Sequence, residues 1–276
     1  MENSLDFFLK NGFLHLEEFL PKNEVTKVLT DAKKIFLRQF KAKEYVASTA
    51  SLDSISETEF NNFLYLLFEE DVECLMNCGK QAQHLISLHQ LSLNEKIIKT
   101  LINLGIKTPN ISTRPVLFFN HPKLAKQKVF YKVDAHQDWR SMQGSLNAIV
   151  VWVPLIDIDK NLGALEIVPK SHLFGLRTNH LDTGFGMVSL TEEEGKTLTA
   201  VEVKVGDVLI FSSFLIHQSG ENSSLAPRWS CHFRYNDLDE TTFIERKFAH
   251  AYIYKPIDEL LTKDFPMMEE VIKIYQ

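Results

Sequence analysis

Three side chains that commonly bind metal recur at telling positions in this chain. His136 and Asp138 stand two residues apart in "VDAHQDW", and His217 ends the apolar run "DVLIFSSFLIH". On a strand, residues i and i+2 project from one face, so His136 and Asp138 can reach a common point. Two protein ligands do not make a redox metal centre. Two histidines and one carboxylate that leave positions open form the facial set of ferrous oxygenases, and His217 is the candidate second histidine. Arg228, eleven residues beyond it, opens the strand-like "RWSCHFRYN". In a hairpin, that interval lets Arg228 face the same cavity as His217. Its planar fork suits the distal carboxylate of a dicarboxylate cosubstrate. Ser219 can add a hydroxyl to the same carboxylate. Each residue also has an ordinary reading. His136 and Asp138 could be a surface pair, His217 a satisfied core histidine, and Arg228 a surface partner of Glu221 or Asp237.

The elements that must position these residues lie after Pro109. "PVLFFN", "KVFYKVDAH", "LNAIVVWVPL", "GALEIVP", "LTAVEVKV", "DVLIFSSFLIH" and "RWSCHFRYN" are short, rich in Val, Ile, Phe and Tyr, and bounded by turn residues. Such a series without a long intervening helix reads as an antiparallel sandwich or barrel. Gly206-Asp207 reads as the tight turn before the run that ends in His217. Residues 1–108 read mostly as helix. "SLDFFLKNG" stops at Gly12, "FLHLEEFL" is a short strand, and residues 21–40 open on Pro21 with helical periodicity. Ser56 and Glu59 form a possible capping box, and the helical pattern ends near Leu104 and Gly105. The expected organisation is one domain over 1–276, with a helical flank (1–108), a β-core (109–255) and a C-terminal helix (256–276). Residues 173–199, with Gly175, Gly184, Gly186 and Gly195, read as a long loop, and such loops are often lids.

Composition narrows the function classes. The chain has 276 residues, 45% hydrophobic, with a formal net charge of -6 and no basic block. Nucleic acid is therefore not the expected partner. No apolar run reaches the ~18–20 residues that a membrane span needs, and the first residues lack a signal-peptide pattern. Cys74, Cys78 and Cys231 are too few for a disulfide framework; Cys74 and Cys78, four apart, suit one helix face. A reducing cytoplasm is the expected compartment, a small molecule the expected substrate, and a monomer or weak homodimer the expected state.

HQD at 136–138, HQS at 217–219 and Arg228 together resemble the phytanoyl-CoA dioxygenase family. The likeness extends to "FFLKNGFLHLEEFL", to "WVPLIDIDKNLGALEIVPKSH" and to "VKVGDVLIFSSFLIHQSGENSS". One departure is Lys170, where the family usually has glycine before Ser-His. The resemblance implies a mainly β fold with flanking helices, a double-stranded β-helix (jelly roll, cupin-like) packed against the N-terminal helices. It implies an Fe(II)- and 2-oxoglutarate-dependent dioxygenase that uses O2 and releases succinate and CO2. His136, Asp138 and His217 are then the iron ligands, Arg228 and Ser219 hold the C5 carboxylate, and Trp152 lies beside the metal. Related halogenases lack the carboxylate ligand, so Asp138 favours hydroxylation. Trp139, Arg140 and Gln143 are candidates for the substrate mouth, and Arg177 and Arg234 extend a polar, partly basic pocket that suits a polar or anionic metabolite. Two other classes remain open at this point: a jelly-roll binding protein without turnover, and a zinc-dependent hydrolase using the same three ligands. In the second, Arg228 and Ser219 have no task. His172 reads as structural, His232 faces either core or pocket, Gln137 points away from the metal, and His121, His180 and His250 carry no signal.

Overall fold

A computed structural model describes residues 4–121, 123–124, 132–177 and 187–249. α1 (Ser4–Asn11) ends at Gly12, whose φ of +83° closes the helix and turns the chain into β1 (Phe13–Leu16). α2 (Lys22–Ala42) starts after Pro21 and buries Val25, Val28, Ala32, Phe36 and Phe40, a helical stripe facing the sheet. The capping box of α3 (Glu57–Glu70) forms as its sequence predicts: Ser56 Oγ accepts from the Glu59 amide, and Glu59 accepts from the Ser56 amide. α4 (Val72–Ala82), α5 (Ile86–Ser92) and α6 (Glu95–Asn103) complete the helical flank. Cys78 is buried and Cys74 half-buried on α4, and both are free thiols.

Two antiparallel sheets follow. The larger has strand order β1, β7 (Val208–Ser212), β4 (Ile149–Pro154), β9 (Arg228–Asp237), β2 (Pro109–Ile111), with β3 (Val116–Asn120) also pairing with β9. The smaller has order β6 (Thr199–Val201), β5 (Leu165–Ile167), β8 (His217–Ser219). One buried cluster unites the helices with the outer face of the large sheet. Phe36 of α2 meets Phe119 and Trp229 edge-on, at centroid distances of 5.4 and 6.0 Å. A second cluster, including Val150, Trp152, Leu165, Leu209 and Phe211, lies between the sheets. β4 is apolar and buried on both faces because it separates these two clusters.

Three expectations change. First, the strand bearing His217 and the strand bearing Arg228 are not a hairpin: β8 belongs to the small sheet and β9 to the large one. After β8 the chain stays beside residues 162–164: the Gly220 amide donates to the Ala164 carbonyl, Asn222 bridges Leu162, and a Cβ on Gly220 would approach the Ala164 carbonyl oxygen to 2.4 Å. Asn222 then shapes the turn by donating to the Ala226 carbonyl at 2.9 Å and accepting from the Ser224 amide. His217 and Arg228 therefore face each other across the sandwich. Second, Asp138 is not on a strand; its φ of -62° and ψ of -30° open the short helix α7 (Trp139–Met142). Third, 173–199 is not loop throughout. A 3-10 turn spans Ser171–Phe174, and α8 (Glu192–Thr197) carries a Thr191–Glu194 capping box. The capping signature "TEEE" marks a helix start, and Thr199 already belongs to β6. Gly184 and Gly186, the core of the expected lid, lie outside the described residues, as do 256–276, His180 and His250.

Candidate metal centre

A backbone bridge brings the two histidines together. The His136 amide donates to the His217 carbonyl at 3.0 Å, and the His217 amide donates back at 3.2 Å. Directly opposed residues present neighbouring side chains, and the imidazole centroids lie 4.2 Å apart. After His136 the chain turns into α7, whose first turn closes on the Asp138 carbonyl from the amides of Ser141 and Met142. That turn swings the Asp138 carboxylate under the imidazoles. His136 Nε2 lies 3.9 Å from Asp138 Oδ1, and His217 Nε2 lies 3.9 Å from Asp138 Oδ2. One ligand atom from each residue falls within 4.8 Å of the others.

The second nitrogens of the rings decide what these groups can hold. His136 Nδ1 is 2.8 Å from the Asp134 carbonyl, and His217 Nδ1 is 2.9 Å from the Leu215 carbonyl. Carbonyls only accept, so each Nδ1 carries the proton and each Nε2 turns a lone pair toward the carboxylate. Two converging imidazole lone pairs and a carboxylate are a donor set for a divalent transition metal, and the residues present fit one. Burial holds His217 down at about 3, with His136 adding to the effect, so it is a neutral ligand at physiological pH. Burial opposes ionisation of Asp138, but the Arg234 guanidinium beside it outweighs burial and holds the carboxyl well below the usual range.

The centre opens onto a cavity of about 280 Å³. The inward face of β9 forms one wall with Arg228, Ser230, His232 and Arg234. Arg228 is 1% exposed, yet no carboxylate of a described residue lies within ion-pair distance of it. It donates to the Gly163 carbonyl and, at 3.0 Å, to Ser219 Oγ, and its buried Nε has no partner. Gly163 can offer that carbonyl because it and Gly220 pack backbone to backbone; a Cβ on Gly163 would meet the Gly220 carbonyl oxygen at 2.8 Å. Burial lowers the Arg228 pKa to about 10, so it stays charged near neutrality. An uncompensated buried guanidinium is costly unless an anion binds it. Neither Glu221 nor Asp237 pairs with Arg228; the Asp237 carboxylate accepts from the amides of Lys107, Thr108 and Asp239 and from Asn147.

The structure thus gathers His136, Asp138, His217, Arg228, Ser219 and Trp152 around one cavity. It does not bring Trp139, Arg140 or Gln143 to its wall. Trp139 stacks on Phe214 at 5.3 Å and donates to the Ser145 carbonyl. Arg140 donates to the Arg177 carbonyl, and Gln143, at a φ of +51°, ends α7 with its side-chain amide donating to the Arg140 carbonyl. Arg177 pairs with Glu194 of α8. His232 faces the cavity, and burial holds its pKa well below the ordinary histidine value. His172 accepts no role in its own turn; its Nε2 lies 3.0 Å from the Leu9 carbonyl of α1. Gln137 reaches away from the ligands to the carbonyls of Gly175 and Phe214 and the Arg177 amide. His121 lies against the Ser224 carbonyl and does not line the cavity. Ser230 and the apolar wall of Val116, Phe118, Val133 and Phe211 were not anticipated from sequence. Counting by twos from Arg228 would have found Ser230.

Comparisons with known proteins give the family and the fold. The family model for phytanoyl-CoA dioxygenase (PhyH) matches residues 8–230. The chain is 26% identical to phytanoyl-CoA dioxygenase 1 of Oryza sativa subsp. japonica, over 92% of this chain and 97% of that one. It is 24% identical to the peroxisomal phytanoyl-CoA dioxygenase of Homo sapiens, over 84% of this chain and 67% of that one. Among solved structures, the non-haem alpha-ketoglutarate-dependent epimerase SnoN of nogalamycin biosynthesis superposes with a TM-score of 0.56 at 19% identity, over 84% of this chain and 81% of that one. EctD from S. alaskensis, solved with 2-oxoglutarate and 5-hydroxyectoine, gives a TM-score of 0.52 at 17% identity, over 86% and 76%. Both share the fold, a jelly-roll core with flanking helices. Among the described residues no helix is long and apolar enough to cross a membrane.

Proposed function

The chain belongs to the phytanoyl-CoA dioxygenase family and is a non-haem iron, 2-oxoglutarate-dependent oxygenase, and within that class we propose that it hydroxylates a small polar or anionic metabolite. The observation that carries the reading is Arg228, a buried guanidinium with hydroxyl and carbonyl neighbours but no counter-anion, facing the His136–Asp138–His217 cluster across one cavity. His136, Asp138 and His217 would hold ferrous iron. Bound there with 2-oxoglutarate and O2, the iron supplies the oxidising power for hydroxylation, with succinate and CO2 as co-products. Arg228 and Ser219 grip the C5 carboxylate of the cosubstrate and fix its other end toward the ligand cluster. Trp152, Val150 and Phe211 line the same space with apolar surface, which keeps bulk water off the reacting centre. Asp138 occupies the ligand place that a halogenase leaves to chloride, and that supports hydroxylation.

Two features support a small, polar substrate: the modest size of the cavity, and the polar side chains of Ser230 and His232 on its β9 wall. Reading the site as a zinc hydrolase leaves Arg228 and Ser219 idle, and a binding protein without turnover has no use for a converging ligand cluster. The test is anaerobically loaded Fe(II) protein with 2-oxoglutarate, exposed to O2 beside a panel of amino acids, organic acids, phosphate esters and acyl thioesters. Succinate release coupled to a product one oxygen atom heavier is expected from a small polar member of the panel. Coupled turnover of acyl thioesters alone would overturn the substrate class.

A further inference from the structure

Arg234 lies six residues beyond Arg228 on the same face of β9, and it is committed differently. Its Nη2 donates to Asp138 Oδ1 at 2.7 Å, with 12% of the arginine side chain and 4% of the aspartate side chain exposed. The other carboxylate oxygen, Oδ2, lies 3.9 Å from His217 Nε2, while Oδ1 itself lies 3.9 Å from His136 Nε2, so both oxygens border the ligand cluster and only Oδ1 carries a bond from a cation. A carboxylate can bind a metal through one oxygen or chelate it through both. Those modes differ by one coordination position, and a facial oxygenase centre needs every position its protein ligands leave open. The register of β9 against β4, with Arg234 opposite Val150 and His232 opposite Trp152, fixes the guanidinium on the cavity side. α7 fixes the carboxylate from the other direction, through its backbone start at Asp138.

We propose that Arg234 is a positioning residue that restricts Asp138 to one-oxygen ligation and so keeps a coordination position free for the cosubstrate or O2. The inference rests on the reading of His136, Asp138 and His217 as the metal ligands. A charge-assisted bond to Oδ1 draws electron density from that oxygen and places a positive charge beside it. Both effects disfavour approach of a cation to Oδ1 and leave Oδ2 as the donor. The same bond supplies a counter-charge to a buried carboxylate in the metal-free protein, so the ligand cluster is held in place before metal arrives. A substrate-binding arginine would have its fork free in the cavity; this one has an Nη engaged on a ligand.

The test uses the full chain loaded with Mn(II), a redox-silent probe, in wild-type, Arg234→Met and Arg234→Lys forms. Crystal structures of the loaded proteins read the ligation mode directly, and titration of each with 2-oxoglutarate reads the open positions. Wild type should bind Mn(II) through one Asp138 oxygen. Arg234→Met should still bind Mn(II) at saturating metal, with affinity lowered by about the 10- to 100-fold usual for losing a partner of a metal ligand, but through both oxygens and with 2-oxoglutarate binding weakened. Arg234→Lys, which keeps a cationic donor, should fall between. If Arg234→Met does not fold, Arg234→Gln, neutral and too short to keep the bond to Oδ1, replaces it with the same expectation. One-oxygen ligation and unchanged 2-oxoglutarate affinity in the methionine or glutamine variant overturns the proposal. Failure of wild type to bind Mn(II) at all overturns the metal-centre reading itself, a different and recognisable result.

Discussion

The two faces of β9 are built from one continuous run of sequence and do opposite work. Trp229, Cys231, Phe233 and Tyr235 point into the cluster that joins the large sheet to the helices. Arg228, Ser230, His232 and Arg234 point into the cavity. The first face is closely packed and apolar, with Trp229 stacked on Phe119 at 4.7 Å. The second face buries two guanidinium groups and an imidazole, each of which costs free energy to dehydrate. A strand can hold both only because its side chains alternate, so that an apolar face secures the backbone on which a polar face is held rigid. Stability and chemistry should therefore separate under mutation of the two faces.

The largest expected effect is on the packed face. Trp229→Ala removes a ring that contacts Phe119 and Phe36 and should lower stability by about 3–5 kcal/mol, measured by denaturant unfolding. Whatever folded protein remains at low temperature should still bind metal; loss of both together would break the separation of faces. On the cavity face, Arg228→Ala should weaken 2-oxoglutarate binding by about one to two decades, because a charge-assisted bond of roughly 1.5–3 kcal/mol is lost. Metal affinity and unfolding midpoint should hardly change. An unaltered 2-oxoglutarate affinity would make Arg228 a structural residue. The smallest effect belongs to neither face. Lys170 sits at a φ of +67°, in the left-handed region that a glycine adopts without strain. Lys170→Gly should raise stability by on the order of 0.5–1 kcal/mol, the left-handed penalty less the extra chain entropy of glycine. A neutral or lower unfolding midpoint would mean that the turn tolerates lysine at no cost.

Lys170 also shows how much of the molecule the sequence discloses. The mismatch before Ser171-His172 is visible as a departure from the family's glycine, and the structure keeps the glycine-like backbone there. His136, Asp138, His217 and Arg228 could be picked out from residue type and the text around them, but the geometric reasons for joining them, one strand face and one hairpin, do not hold. What was not legible depends on contacts distant in sequence. Whether 217 and 228 lie in one sheet or in two depends on β8 pairing with β5, some fifty residues earlier, and no local pattern near either strand reveals that. The helical start at Asp138 was hidden because "HQDWRSM" also fits an alternating strand. α8 was hidden by Gly195 in its interior, although Thr191 and Glu194 announce its start. Arg234 could be placed near the pocket by counting from Arg228, but its bond to Asp138 joins residues 96 positions apart.

The sharpest comparison of all is between a cavity that holds a metal and its cosubstrate together and one that merely resembles such a cavity. The direct measurement is anaerobic addition of Fe(II) and then 2-oxoglutarate to the purified chain, watched for the weak visible charge-transfer band of the chelate, with His217→Ala as a parallel sample. A band should appear in the wild-type chain at about one equivalent of Fe(II), require both additions, and be absent from the variant. Full metal occupancy in the variant, or a wild-type chain that binds Fe(II) and shows no band with saturating 2-oxoglutarate, would contradict the assignment of this site.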